Sequence, residues 1–128
     1  MTPGRVTLST HVLDATAGRP AAGVHVRLEH RGRDGWSAAC EGLTGADGRL
    51  RLPGYPPDPG FEPGTEADPG LEPGVYRITF GSGAYFQARG LASFYPEVTV
   101  TFEMTGRGEH YHVPLLLSPF AYSTYRGS

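Results

Sequence analysis

Apolar residues fall at every second position along most of this chain, and Gly and Pro repeatedly cut the pattern short. In the stretch from Arg5 to Val12, Val6, Leu8 and Val12 share one face, while Thr7, Ser9 and His11 share the other. That two-residue repeat belongs to a half-buried strand, not to a helix. Val24, Val26 and Leu28 alternate in the same way with His25, Arg27 and Glu29 until Gly32-Arg33-Asp34-Gly35 ends the run. Trp36 to Thr44 reads as the hairpin partner of that strand. Gly45-Ala46-Asp47-Gly48 offers glycines for positive φ and delivers a short strand, Arg49 to Leu52. Further strands are expected over Gly74–Phe80, Glu97–Glu103 and Tyr111–Leu117, with a last one over Phe120–Thr124 after the Ser118-Pro119 turn. Only Ala84 to Ala88, bracketed by glycines, reads as a short helix. Seven or eight short strands separated by turn residues predict an all-β sandwich.

Residues 53–74 follow different rules. Asp58-Pro59-Gly60-Phe61-Glu62-Pro63-Gly64 recurs as Asp68-Pro69-Gly70-Leu71-Glu72-Pro73-Gly74. Proline lacks the amide donor and Pro-Gly pairs set turns, so the duplication predicts a surface loop inserted between two strands. Its carboxylates lack the dense alternation of a calcium loop. The 128 residues otherwise read as one domain, 1–128.

Composition removes several function classes. A formal net charge of -2 argues against a general nucleic-acid binder, which would be markedly basic. Every basic side chain is arginine, so lysine Schiff-base and lysine general-base chemistry are excluded. Cys40 is the single cysteine, which rules out a disulfide-built scaffold. Met1 to Arg5 leads directly into the first alternating run without an apolar signal core, and no apolar stretch approaches the ~20 residues of a membrane span. A soluble cytoplasmic protein with no membrane or nucleic-acid partner is the expectation.

Polar residues at unusual places carry the chemistry. His11 stands on the polar face of the first strand beside Ser9, Arg49 opens the strand after the Asp47-Gly48 turn, and His112 interrupts an apolar strand. His110 and His112 are spaced i, i+2, and His11 could add a third imidazole to a zinc site. No Cys or carboxylate is placed as a further ligand, so no metal is expected. His25, His30 and His110 read as ordinary sheet residues. The closing Tyr125-Arg126-Gly127-Ser128 places a phenol, a guanidinium and a hydroxyl where a chain end would normally fray, and the preceding strand would hold them for a polar ligand.

Three segments resemble one family. Leu8-Ser9-Thr10-His11-Val12-Leu13-Asp14 with Gly18-Arg19-Pro20-Ala21, and Thr44-Gly45-Ala46-Asp47-Gly48-Arg49, look like the opening and middle of the transthyretin-like family. Tyr111-His112-Val113-Pro114-Leu115-Leu116-Leu117-Ser118-Pro119-Phe120, running into Tyr122 to Ser128, is similar to the ending of its enzymatic branch, the 5-hydroxyisourate hydrolases. The resemblance covers nearly the whole chain outside residues 53–73. It implies a sandwich of two four-stranded sheets with one short helix. It also implies a homotetramer whose active sites lie where dimers meet, and cofactor-free hydrolysis of 5-hydroxyisourate in urate catabolism. It carries catalytic roles onto His11, Arg49, His112 and Ser128, and substrate contacts onto Tyr125, Arg126 and Gly127. A neutral imidazole, with an ordinary pKa near ~6.5, suits a base that activates water. An arginine fork suits the oxygen that gains charge. The residues leave open which histidine is the base; His11 is preferred, through its polar neighbours, with His112 as proton partner. Ser128 reads as a hydrogen-bonding group, not a nucleophile. The alternative is a non-catalytic transthyretin-like carrier of a small aromatic ligand.

Overall fold

A computed structural model describes residues 5–52, 70–106 and 108–128. Two sheets face each other across one core. The strands are β1 (Thr7–Asp14), β2 (Arg19–Pro20), β3 (His25–Gly32), β4 (Gly35–Leu43), β5 (Arg49–Leu52), β6 (Gly74–Phe80), β7 (Val98–Met104), β8 (His110–Ser118) and β9 (Ala121–Thr124), and the helix α1 (Ser82–Ala88) lies between β6 and β7. One sheet has the order β4-β3-β6-β7. The other runs β2-β1-β8-β9, with β5 also paired to β1. The expectation of two four-stranded sheets therefore holds but for β2, a two-residue ladder added antiparallel to β1.

The core follows from the alternation. Val6, Leu8 and Val12 are fully buried, and Val26, Leu28, Ile78, Phe80, Leu115 and Leu117 meet them from both sheets. Burying each such side chain is worth roughly 1.5–3 kcal/mol. A one-residue slip of β1 would forfeit this and drive Ser9 and His11 inward, so burial alone fixes which face holds the polar residues.

The helix begins at Ser82, two residues earlier than the sequence predicts. Tyr85 and Phe86 are buried, so tertiary packing holds this short element where local propensity would not. Tyr85 also anchors it to β1, its hydroxyl donating to Asp14 Oδ2 at 2.8 Å. Asp14 Oδ1 meanwhile accepts from the backbone of Thr16 and Ala17. Burial, then this bond, pushes the Tyr85 phenol up to about 12.

Most of the expected Pro/Gly loop lies outside the described residues. Its end, from Gly70, is tied to the start of the first strand: Leu71 and Val6 exchange backbone hydrogen bonds of 2.6 and 2.8 Å. Among the described residues no helix is long and apolar enough to cross a membrane.

Candidate active site

The central strand β1 gathers the site. On one side it pairs antiparallel with β5, setting His11 opposite Arg49 and Ser9 opposite Arg51. On the other it pairs in parallel with β8, setting Thr7 opposite His110 and Ser9 opposite His112. Partners in register project to the same side of a sheet. Three segments distant in sequence thus deliver imidazoles and guanidinia to one solvent-facing surface. An open cleft of about 370 Å³ lies there, lined by Ser9, Asp47, Arg49, Arg51, His110 and His112 among others. That volume is within the roughly 300–1,000 Å³ typical of small-molecule sites.

The Gly45–Gly48 turn sets one wall. Gly48 N–H donates to the Gly45 carbonyl, and Val12 N–H donates to the Gly48 carbonyl, both bonds closing the turn onto β1. Gly48 has φ +78°, and a Cβ there would collide with the Val12 carbonyl oxygen. Only glycine meets both demands. Asp47, which the sequence reading passed over as a turn residue, does two things here. Its carbonyl accepts a 2.9 Å bond from His11 Nε2, and its carboxylate accepts the Arg49 amide at 3.0 Å. A carbonyl only accepts, so His11 must carry a proton on Nε2, and in its neutral form the lone pair is on Nδ1. The Asp47 carboxylate also stands 3.9 Å from Arg49 Nε, too loose and too exposed to neutralise that guanidinium.

His112 is the enclosed imidazole of the group. Burial, followed by the nearby His11, His110 and Arg49, holds it below the ordinary imidazole value, and a bond to the Ser9 backbone opposes this weakly. Ser9 Oγ is 2.8 Å from His112 Nδ1 and 2.8 Å from His110 Nε2, and Thr7 Oγ1 is 2.6 Å from His110 Nδ1. From sequence alone Ser9 is only a polar neighbour of His11, and His110 an ordinary sheet residue. The signal that could have found them was the shared parity of Thr7, Ser9 and His11, which needed only the β1–β8 pairing to complete it.

The closing segment reaches His112. Gly127 N–H donates to the His112 carbonyl at 2.8 Å, and the two residues form an isolated antiparallel bridge. Tyr125 is 58% exposed and, with His112 and Arg126, lines a second cavity of about 280 Å³. Ser128 follows Gly127 directly and is exposed. The Arg126 guanidinium lies 4.5 Å above the ring of the buried Tyr111, a cation–π contact. The structure thus brings His11, Arg49 and His112 to one surface, sets Gly127 against His112, and leaves Arg126 and Tyr125 lining a second cavity that also touches His112.

Comparison with known proteins finds relatives over nearly the whole chain. The family model described as the HIUase/Transthyretin family matches residues 8–127. A 5-hydroxyisourate hydrolase of Salmonella dublin is 42% identical over 125 residues, covering 98% of this chain and 83% of that protein. Among solved structures, Klebsiella pneumoniae 5-hydroxyisourate hydrolase superposes with a TM-score of 0.75 at 32% identity, covering 96% of this chain and 99% of its own. Transthyretin from Sparus aurata superposes with a TM-score of 0.78, also at 32% identity, covering 94% and 95%. Backbone likeness is therefore shared between the hydrolase and the transthyretin, while the whole matched span, from the strand of Ser9 and His11 to Gly127, lies within one family. The chain belongs to the HIUase/transthyretin family.

Proposed function

We propose that this protein hydrolyses 5-hydroxyisourate, opening its ring amide with water to give 2-oxo-4-hydroxy-4-carboxy-5-ureidoimidazoline in purine (urate) catabolism. The observation that carries the reading is the half-buried imidazole of His112, whose charged form burial disfavours, in one cleft with the guanidinium of Arg49. The cleft presents two arginines and two histidines against one carboxylate, Asp47, among its charged and titratable lining residues. Such a lining favours a ligand rich in carbonyl oxygen and a transition state that gathers negative charge.

His112 Nε2 takes a proton from water as the oxygen attacks the ring carbonyl carbon. Arg49 donates to the carbonyl oxygen while it bears the negative charge, a contact of the kind worth roughly 2.7–4 kcal/mol. The carbon–nitrogen bond then breaks, and the leaving nitrogen takes the proton back from His112. His11, its Nε2–H committed to Asp47, offers Nδ1 to orient the water or the ring. The bonding thus favours His112 as base and His11 as its partner, the reverse of the sequence-based preference. Tyr125, Gly127 and Ser128 close the end of the site by hydrogen bonding and contact, with no nucleophile among them. Arg126 joins them as a substrate contact, its guanidinium steadied over the Tyr111 ring.

The reading includes a cytoplasmic homotetramer with sites where dimers meet. Exposed Phe94 and Phe120, with an edge-to-face ladder of Phe94, Tyr95 and Tyr122, supply apolar surface that a second copy would cover. Two measurements test the reading. The protein must accelerate the ultraviolet decay of freshly formed 5-hydroxyisourate, and His112→Gln must lower that rate by roughly 10²–10⁴-fold. Unaccelerated decay, with saturable binding of the compound, would instead identify a carrier.

A further inference from the structure

Behind His112 stands a hydrogen-bonded train that the reaction as written does not use. Thr7, His110, Ser9 and His112 are linked in that order by contacts of 2.6, 2.8 and 2.8 Å. The parallel ladder explains it: Thr7 pairs with His110 and Ser9 with His112, so the Ser9 hydroxyl falls between two imidazoles. A hydroxyl has one proton and two lone pairs, and between two ring nitrogens it donates to one and accepts from the other. The protonation states of the two histidines are therefore linked. If His112 carries its proton on Nδ1, it donates to Ser9, and Ser9 donates to His110 Nε2. His110 then donates from Nδ1 to Thr7, and His112 Nε2 is left as the bare, basic nitrogen.

We propose that Ser9 and His110 form a proton relay behind His112, with His110 as the positioning residue that selects this tautomer and takes up the positive charge that His112 acquires. This rests on the reading of His112 as the base. The step balances. As His112 Nε2 takes the proton from water, the Nδ1 proton passes to Ser9 Oγ while the Ser9 hydroxyl proton passes to His110 Nε2. His112 ends neutral with its proton on Nε2, Ser9 ends as a hydroxyl, and His110 ends as an imidazolium. The reverse shift accompanies the return of the Nε2 proton to the leaving nitrogen.

The surroundings favour that displacement of charge. The groups facing the train are His11 on β1, Arg49 and Arg51 on β5, and Asp47 in the preceding turn. Glu109, next to His110 in sequence, directs its carboxylate to the Tyr111 hydroxyl. His112 is half-buried and beside Arg49, whereas His110 is exposed, so water solvates a cation better at His110.

Glutamine at 110 keeps an amide for Ser9 but cannot take a proton, so it separates relay from mere scaffolding. His110→Gln is expected to lower kcat roughly 10–100-fold with KM unchanged, the size seen when partners of metal-bound imidazoles are lost. Unchanged kcat in His110→Gln would overturn the relay. Ring-nitrogen NMR of the wild-type protein reads the train without turnover: His110 and His112 should titrate as a coupled pair, and Ser9→Ala should uncouple them. Independent titration in the wild type would also overturn it. Wild-type protein that lacks hydrolysis but shows coupled imidazoles would refute the hydrolase reading while leaving the linked histidines standing.

Discussion

The imidazole of His112 fills the space that a side chain at residue 127 would need. A Cβ built on Gly127 would lie 2.6 Å from His112 Cδ2, while the Gly127 amide is bonded to the His112 carbonyl. The glycine is thus required by close approach, not by an unusual φ. It lets the closing segment lie flat against the proposed base.

Gly127→Ala should therefore displace either the imidazole or the segment. Misplacement of a catalytic group by an ångström can cost roughly 10²-fold in rate. We expect a fall in kcat/KM of that order, with unfolding free energy changed by less than about 1 kcal/mol, because the segment adds little to the core. Parallel turnover and denaturant-melt measurements check this. Wild-type turnover would show that the approach has no catalytic meaning.

The pH dependence has a definite sign. His112 is held below the ordinary imidazole value, chiefly by burial, so it stays neutral where a solvent-exposed histidine would be charged. Turnover should fall with decreasing pH through a midpoint below ~6.5. Arg49→Gln removes one of the lowering charges and should move the midpoint upward as it reduces the rate. Stability follows the same linkage: the contribution of His112 is present above the unfolded value and is lost as pH falls through the lower folded one. A kcat/KM profile flat from pH 8 to 5 contradicts the assignment.

Gly48→Ala strikes the turn that carries both Asp47 and Arg49. The substitution forces a side chain into positive φ against the Val12 carbonyl. A loss of about 1–3 kcal/mol is expected, read from the urea midpoint, together with a loss of activity at temperatures where the variant is still folded. An unshifted midpoint would mean that the turn relaxes freely.

Tyr85→Phe tests the tie between helix and first strand away from the cleft. It leaves the buried Asp14 Oδ2 without the phenolic donor, which should cost roughly 1–3 kcal/mol. Turnover of the folded variant should be unchanged. In the wild type, spectrophotometric titration should show one phenol ionising near about 12, and its absence in the variant would assign it.

A chelator should leave turnover intact. His110 bonds to hydroxyls through both ring nitrogens, His112 bonds to Ser9 through Nδ1, and His11 donates to a carbonyl. Those partners match a hydrogen-bonded cluster. Inactivation by a chelator, reversed by zinc, would overturn the metal-free mechanism.

Local chemistry made much of this molecule legible without coordinates. A strand has only two faces, so the parity of Val6, Leu8 and Val12 assigned the core side and left Ser9 and His11 outside. The Asp47-Gly48 turn announced itself through glycine's access to positive φ, and the histidine inside an apolar strand stood out as a buried polar group needing a reason. The helix start was misplaced by two residues because Tyr85 and Phe86 are held by packing against the sheets, which local propensity does not encode.

Strand pairing was the missing information. Alternation says which side chains share a face of one strand and is silent about the neighbouring strand, because the hydrogen-bonding edges of all strands are chemically alike. Only the parallel alignment of β1 with β8 put Ser9 between His110 and His112, and only the turn docked on Val12 gave His11 the Asp47 carbonyl. The placement of Arg126 depends on tertiary structure in the same way. Its guanidinium lies over the ring of Tyr111, a contact between distant elements that the linear chain does not announce. Composition and periodicity settled the fold class and the polar face; register, a long-range property, decided which of those polar groups meet.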